Sequence, residues 1–271
     1  MQHLQNLHTH TTLCDGAHTP EEMVRFAMDK GFESLGFSAH AYMFYSPYRL
    51  LTPESNKQYK TAINALKKQY QGVFPIYLGL ELDIYSDVDQ TGYDYMLGAV
   101  HYLKIGEEYV GIDRPAEAVQ AVIDTCFGGN GLACAKAYYE TVAQLPQYGT
   151  FEILAHLDLI AKNIEKAPLF DVQSREYLGY AVEAIEAVRG KIPFFEVNTG
   201  SLARGYRSTP YPSVELVKEL RERGFGAIIS SDCHDGHQLD CGFEEARELL
   251  AACGFTERYI LTDNGFAAVA L

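Results

Sequence analysis

Ser231-Asp232-Cys233-His234 closes an apolar run at residues 227–231 and sets an acid and an imidazole two positions apart. Its counterpart stands at the other end of the chain, where His8-Thr9-His10 closes a short apolar-polar run at residues 5–9. On a strand, a spacing of two puts both side chains on one face. The two pairs share a site only if the first and last strands lie side by side, which asks for a sheet that curls round on itself. Between them lie His40, Glu81, His101 and His156, each closing a short apolar run. A barrel gathers residues from the ends of successive strands at one mouth.

Further apolar runs at residues 34–38, 73–80, 95–100, 151–155 and 194–198 bring the expected strands to seven. Helical patterns at 21–30, 53–70, 115–126, 132–144, 171–189 and 213–223 fall between them. Thr19 and Pro20 open the first of these, and Gly31 follows its end. Residues 243–252 and the tail read as a last helical layer. Such alternation implies a parallel α/β architecture. Because the end strands share a site, a closed barrel is preferred to an open sheet: a distorted (β/α)7 TIM-like barrel with its site at the C-terminal ends of the strands. No internal repeat or linker divides it, so residues 1–271 are expected to form one domain.

With 271 residues and 47% apolar side chains, the chain is long enough for one large core. It has no apolar stretch of about 18 residues or more, so no membrane span is expected, and its first residues lack the pattern of a signal peptide. Six cysteines, at 14, 126, 134, 233, 241 and 253, form no C-x-x-C pair and suit reduced thiols in the cytoplasm. The net charge of −14 comes with no long run of Lys or Arg, so no nucleic-acid footprint is expected. An anionic substrate fits such a chain only where bound cations and local basic residues reverse the field.

A lone histidine at a strand end is ordinarily a satisfied core residue. The joint pattern of His8, His10, Asp15, His40, Glu81, His101, His156, Asp232 and His234 is different, because it offers nine donors at one end of a barrel. Imidazole and carboxylate suit Zn, Fe or Mn. One ion takes three or four of them, so nine imply two or three divalent ions. A carboxylate bridges two cations where an imidazole does not, which makes Glu81 the expected bridge. Glu81, Asp15 and His234 are expected nearest the chemistry. His3 and His18 read as surface residues, and His237 lies close to the last pair.

These residues also carry a family resemblance. His8-Thr9-His10, Cys14-Asp15-Gly16, Gly36-Phe37-Ser38-Ala39-His40, Gly79-Leu80-Glu81, Gly98-Ala99-Val100-His101, Ala155-His156-Leu157-Asp158, Glu196-Val197-Asn198-Thr199 and Ser231-Asp232-Cys233-His234 resemble, in this order, the motifs of the PHP (polymerase and histidinol phosphatase) superfamily. In detail they are most similar to its stand-alone histidinol-phosphate phosphatases. The resemblance implies a trinuclear site: a first ion on His8, His10, Glu81 and Asp232, a second on Asp15, His40 and His234, a third on Glu81, His101 and His156. Asp15 stands where some relatives have His, Ala99 where many have Ser, and Lys162 where Arg is common.

The implied activity is phosphate-monoester hydrolysis, L-histidinol phosphate and water giving L-histidinol and phosphate in histidine biosynthesis. A metal-bridging hydroxide would attack phosphorus directly, with no phosphoenzyme. Cys233 should point away from the mouth by strand alternation. Arg204 and Arg207, on the loop after 194–198, and Lys162, past 151–155, are expected to hold the phosphate. Asp158 should support Lys162 or a ligating imidazole. Tyr42, Phe44, Tyr45 and Tyr48 are expected to cover a small phosphorylated substrate. The alternatives are another phosphoesterase of the superfamily, acting on nucleotides, phosphotyrosine or diesters, and an amidohydrolase-type hydrolase.

Overall fold

The computed structural model describes residues 3–46 and 50–271. From β1 (Gln5–Asn6) the chain passes through α1 (Pro20–Asp29) to β2 (Ser34–Phe37) and through α2 (Pro53–Gln69) to β3 (Ile76–Asp83). β4 (Tyr95–Ala99) is followed by a hairpin, β5 (Tyr102–Ile105) and β6 (Glu108–Gly111). Helices α3 (Ala116–Cys126) and α4 (Gly131–Val142) precede β7 (Ile153–Leu154), and α5 (Arg175–Val188) precedes β8 (Phe194–Asn198). The short α6 (Gly200–Ala203) and α7 (Val214–Glu222) lead to β9 (Gly226–Ser230). Last come α8 (Phe243–Ala252) and a second hairpin, β10 (Glu257–Thr262) with β11 (Gly265–Ala270).

Seven strands pair in parallel in the order β1-β2-β3-β4-β7-β8-β9. The ring is drawn shut where the two motif pairs lie. Thr9 bridges Cys233 in parallel, His10 N–H donates to Cys233 O at 2.8 Å, and Cys233 N–H donates to His8 O at 3.1 Å. The helices start as their sequence dictates: Thr19 and Glu22 form a capping box at α1, with Pro20 in its first turn.

One large core lies between sheet and helices, and a smaller one holds Leu7, Tyr77, Tyr95, Leu97, Ile153 and Ile228. Tyr95 reaches across from β4, and its hydroxyl donates to Leu7 O at 2.6 Å and Phe37 O at 3.2 Å. Glycine makes room for it: a Cβ on Gly36 or Gly79 would stand 2.3 Å from the tyrosine.

Three sequence expectations need correction. β3 runs on to Asp83, so Glu81 lies within a strand rather than after it. α5 begins at Arg175, capped by Ser174, because Asp171 is spent on the turn before it, accepting Gln173 N–H at 2.8 Å. The tail is not a helical layer but the β10–β11 hairpin, whose Asp263-Asn264 turn is followed by Gly265 at φ +97°. That hairpin covers the end of the barrel opposite the mouth. Leu261 exchanges two hydrogen bonds with the Gln5 side chain, and Tyr259 and Phe266 pack on Phe194.

Candidate active site

All nine donors singled out in the sequence meet at the barrel mouth, around Glu81. Glu81 Oε2 lies 3.3 Å from His8 Nε2 and 3.6 Å from His10 Nε2. Its other oxygen, Oε1, lies 3.3 Å from His101 Nε2 and 3.0 Å from His156 Nε2. Asp232 Oδ1 faces His10 Nε2 at 3.2 Å and His8 Nε2 at 3.6 Å. Asp15 Oδ2 faces His40 Nε2 at 3.5 Å and His234 Nε2 at 3.3 Å, while His40 Nδ1 reaches Glu81 at 2.7 Å.

The arrangement fits cations. Donor atoms in the sets His8/His10/Asp232, His10/Asp15/His40/His234 and His40/Glu81/His101 lie within 4.8 Å of one another. His8 Nε2, His10 Nε2 and Glu81 Oε2 are buried with no hydrogen-bond partner, a costly state that an ion between them removes. Burial works against charge on Glu81, yet His40, His8 and His101 outweigh it and hold its carboxyl well below the usual range. Burial likewise opposes charge on Asp232, and Arg204 and His8 overcome it. His10 is pushed down to about 3 by burial and by His234 and His40, so it is neutral, the form that ligates. Asp232 at φ +48° and His156 at φ +20° hold backbone conformations rare for non-glycine residues, a strain that clusters at functional sites.

Two carboxylates behind this cluster were not assigned from sequence. Glu196 is buried and accepts the His8 Nδ1–H at 2.9 Å, the His156 N–H at 2.8 Å, the Asn198 amide at 2.8 Å and the Ser230 hydroxyl. Asp83 accepts the His101 N–H at 2.7 Å and the Tyr45 hydroxyl at 3.0 Å, and lies 3.3 Å from His101 Nδ1. Glu81-Leu82-Asp83 and Glu196-Val197-Asn198 repeat the spacing of two seen in the end strands, which is the signal that could have found them.

A cavity of about 320 Å³ opens over the cluster, with Arg204 and Lys162 in its wall. Arg204 Nη2 pairs with Asp232 Oδ2 at 2.8 Å and Nη1 donates to Asp232 O at 2.9 Å. Lys162 pairs with Asp113 at 2.6 Å and lies 4.1 Å over the Tyr206 ring. Arg207 departs from expectation. It is buried outside the cavity wall and paired with Asp158 at 3.0 Å, because the chain turns back after α6 and carries it inward. Asp158 therefore serves Arg207, together with Ser213 N–H at 3.0 Å, and not Lys162.

The aromatic residues of the wall are Tyr102, Tyr206 and Tyr211 rather than Tyr42, Phe44 or Tyr45. Tyr45 instead stacks on Tyr109 at 3.9 Å, and Tyr48 lies outside the described residues. Cys233 does turn away from the mouth, donating to Asp235 O at 2.8 Å. Burial pushes its thiol up to about 12, which keeps it protonated.

The PHP domain family matches residues 6–200. A Deinococcus radiodurans protein named "Probable histidinol-phosphatase" is 28% identical, over 91% of this chain and 92% of its own. The histidinol-phosphatase of Bacillus subtilis is 26% identical, over 88% and 96%. In fold the chain is similar to the histidinol phosphate phosphatase of Lactococcus lactis, solved with zinc, L-histidinol and phosphate. The TM-score is 0.74 at 18% identity, covering 98% of this chain and 99% of that one. The match over most of its length places this chain in the PHP domain family.

Proposed function

We propose that the chain is a metal-dependent phosphate-monoester hydrolase that converts L-histidinol phosphate and water to L-histidinol and phosphate. The observation that carries this reading is Glu81, whose Oε2 faces His8, His10 and His40 and whose Oε1 faces His101 and His156 beneath a cavity walled by Arg204 and Lys162. The relatives' names support the substrate. Two or three ions of the zinc, iron or manganese class would be held as the resemblance implies: His8, His10, Glu81 and Asp232; Asp15, His40 and His234; Glu81, His101 and His156. Such ions supply an activated water and neutralise phosphoryl charge.

The chain's own part is placement. Glu196 and Asp83 orient imidazoles, while Lys162 and Arg204 meet the phosphate oxygens. Cys233, buried and protonated, is no nucleophile, so displacement by water in one step is favoured. The reading treats residues 1–271 as one domain working in the cytoplasm, with a small phosphorylated molecule as its partner. All six cysteines are free, and no helix among the described residues is long and apolar enough to cross a membrane. Turnover of histidinol phosphate beside a nucleotide, phosphotyrosine and an aryl phosphodiester tests the proposal. Histidinol phosphate should lead in kcat/KM, and a diester ahead of it would overturn the assignment.

A further inference from the structure

Two histidines that take no part in the mouth cluster lie together outside it. His18 stands three residues beyond Asp15, and His237 three beyond His234, so the two loops that carry mouth residues meet again further along. Both histidines converge on Asp235. One donor atom from each of His18, Asp235 and His237 lies within 4.8 Å of the others, and His18 Nδ1 is 3.7 Å from Asp235 Oδ1. The imidazoles pack edge-on at 5.7 Å, and Phe26 backs both, at 4.9 Å from His18 and 4.6 Å from His237.

Each donor is held. Asp235 Oδ1 accepts His237 N–H at 3.0 Å and so caps the turn Gly236–Gln238. Gly236 N–H donates to His18 Nδ1 at 3.2 Å. The site is half-open, with the His18 side chain 23% and the Asp235 side chain 43% exposed.

We propose that His18, Asp235 and His237 form a peripheral site for one divalent ion of the zinc class. Two imidazoles and a carboxylate are a donor set such ions accept, with water completing the coordination. Ligation through His18 Nδ1 displaces the Gly236 bond, and the site is open to solvent, so its ion exchanges more readily than those of the buried cluster. Occupancy clasps the loop after Asp15 to the loop after His234, giving the mouth an ion-dependent brace.

The test counts ions. The metal-loaded protein, freed of loosely held metal by desalting, is titrated with Zn²⁺ alone and followed by calorimetry and elemental analysis. The parent should take up one further equivalent beyond its tightly held ions. His18→Ala and His237→Ala should each lose that equivalent while keeping the tightly held ions and the parent's turnover at saturating substrate. His237→Gln, which leaves the backbone bond to Asp235 intact, should lose it too. A parent that binds no further equivalent, variants that all retain it, or variants that lose the tightly held ions with it would each overturn the proposal. Because the readout is the exchangeable ion, the outcome does not depend on which phosphate ester the mouth hydrolyses.

Discussion

Glu196 accepts four donors, and a carboxylate has no proton to return, so His8 must carry its own proton on Nδ1. When an ion displaces the second proton of His8, its Nε2 lone pair is the one that faces Glu81 and Asp232. A glutamine at 196 cannot reproduce this. Its NH₂ either turns to His8 and forces the proton onto Nε2, or turns to His156 N–H and Asn198 and leaves donors opposed. Glu196→Gln should therefore weaken metal binding by roughly 10–100-fold in chelator competition, with turnover following; an unchanged affinity would sink the assignment. Glu81→Gln removes the charge that five imidazoles face. Turnover should fall by orders of magnitude with the fold intact, and a near-normal rate at full metal occupancy would show that Glu81 is no bridge.

The two loop arginines should separate cleanly. If Arg204 holds the phosphate as proposed, Arg204→Ala should lose a charge-assisted hydrogen bond of roughly 1.5–3 kcal/mol, about a ten- to hundredfold drop in kcat/KM, and it frees Asp232 as well. Arg207→Ala instead strands the buried Asp158 and should cost roughly 3–5 kcal/mol in urea denaturation, with kcat/KM of the folded fraction little changed. The opposite pattern would return Arg207 to the phosphate.

At the scale of elements, Tyr95 shows how the barrel is filled and what disturbs it. Gly79→Ala would drive a methyl into the tyrosine ring, and its overpacking should cost roughly 1–3 kcal/mol in thermal or urea denaturation. An unchanged midpoint would mean that Tyr95 moves aside freely. The same element shows why boundaries were harder to read than existence. Leu80-Glu81-Leu82-Asp83 alternates, and an alternating stretch after an apolar run looks like the end of a strand when it is a strand whose inward side chains are polar. The β5–β6 hairpin and the tail hairpin carried only their turns as signals, Gly106-Glu107 and Asp263-Asn264-Gly265. The mouth donors were legible because few residue types do that chemistry. Which loop arginine faces the cavity was not, because three residues of spacing past a four-residue helix do not fix direction.

Across the whole molecule, the first and last strands share no full ladder: β1 is two residues long, and the join rests on the Thr9–Cys233 bridge and the hydrogen bonds between Asn6 and Ser231. The proposed ion sets supply the missing ties. His8 and His10 extend β1, Glu81 lies on β3, and Asp232 follows β9, so an ion among them links strands the sheet joins weakly. An ion at about a hundred times its Kd stabilises the fold by about 2.7 kcal/mol, which in a chain of this size is a shift in Tm of roughly 5–10 °C. Chelation should therefore lower Tm by at least that much. The size of the drop should also depend on pH. Burial alone would lower the histidines, yet Glu196 and Glu81 outweigh it at His8, Glu81 and Asp15 outweigh it at His40, and Glu81 and Asp83 raise His101 to about 10. Without ions these imidazoles hold protons that an ion must displace, so protons compete with metal. The gap in Tm between loaded and chelated protein should shrink from pH 8 to pH 6 at fixed free metal. A gap that stays constant or widens would mean that the histidines of the mouth do not bind the ions.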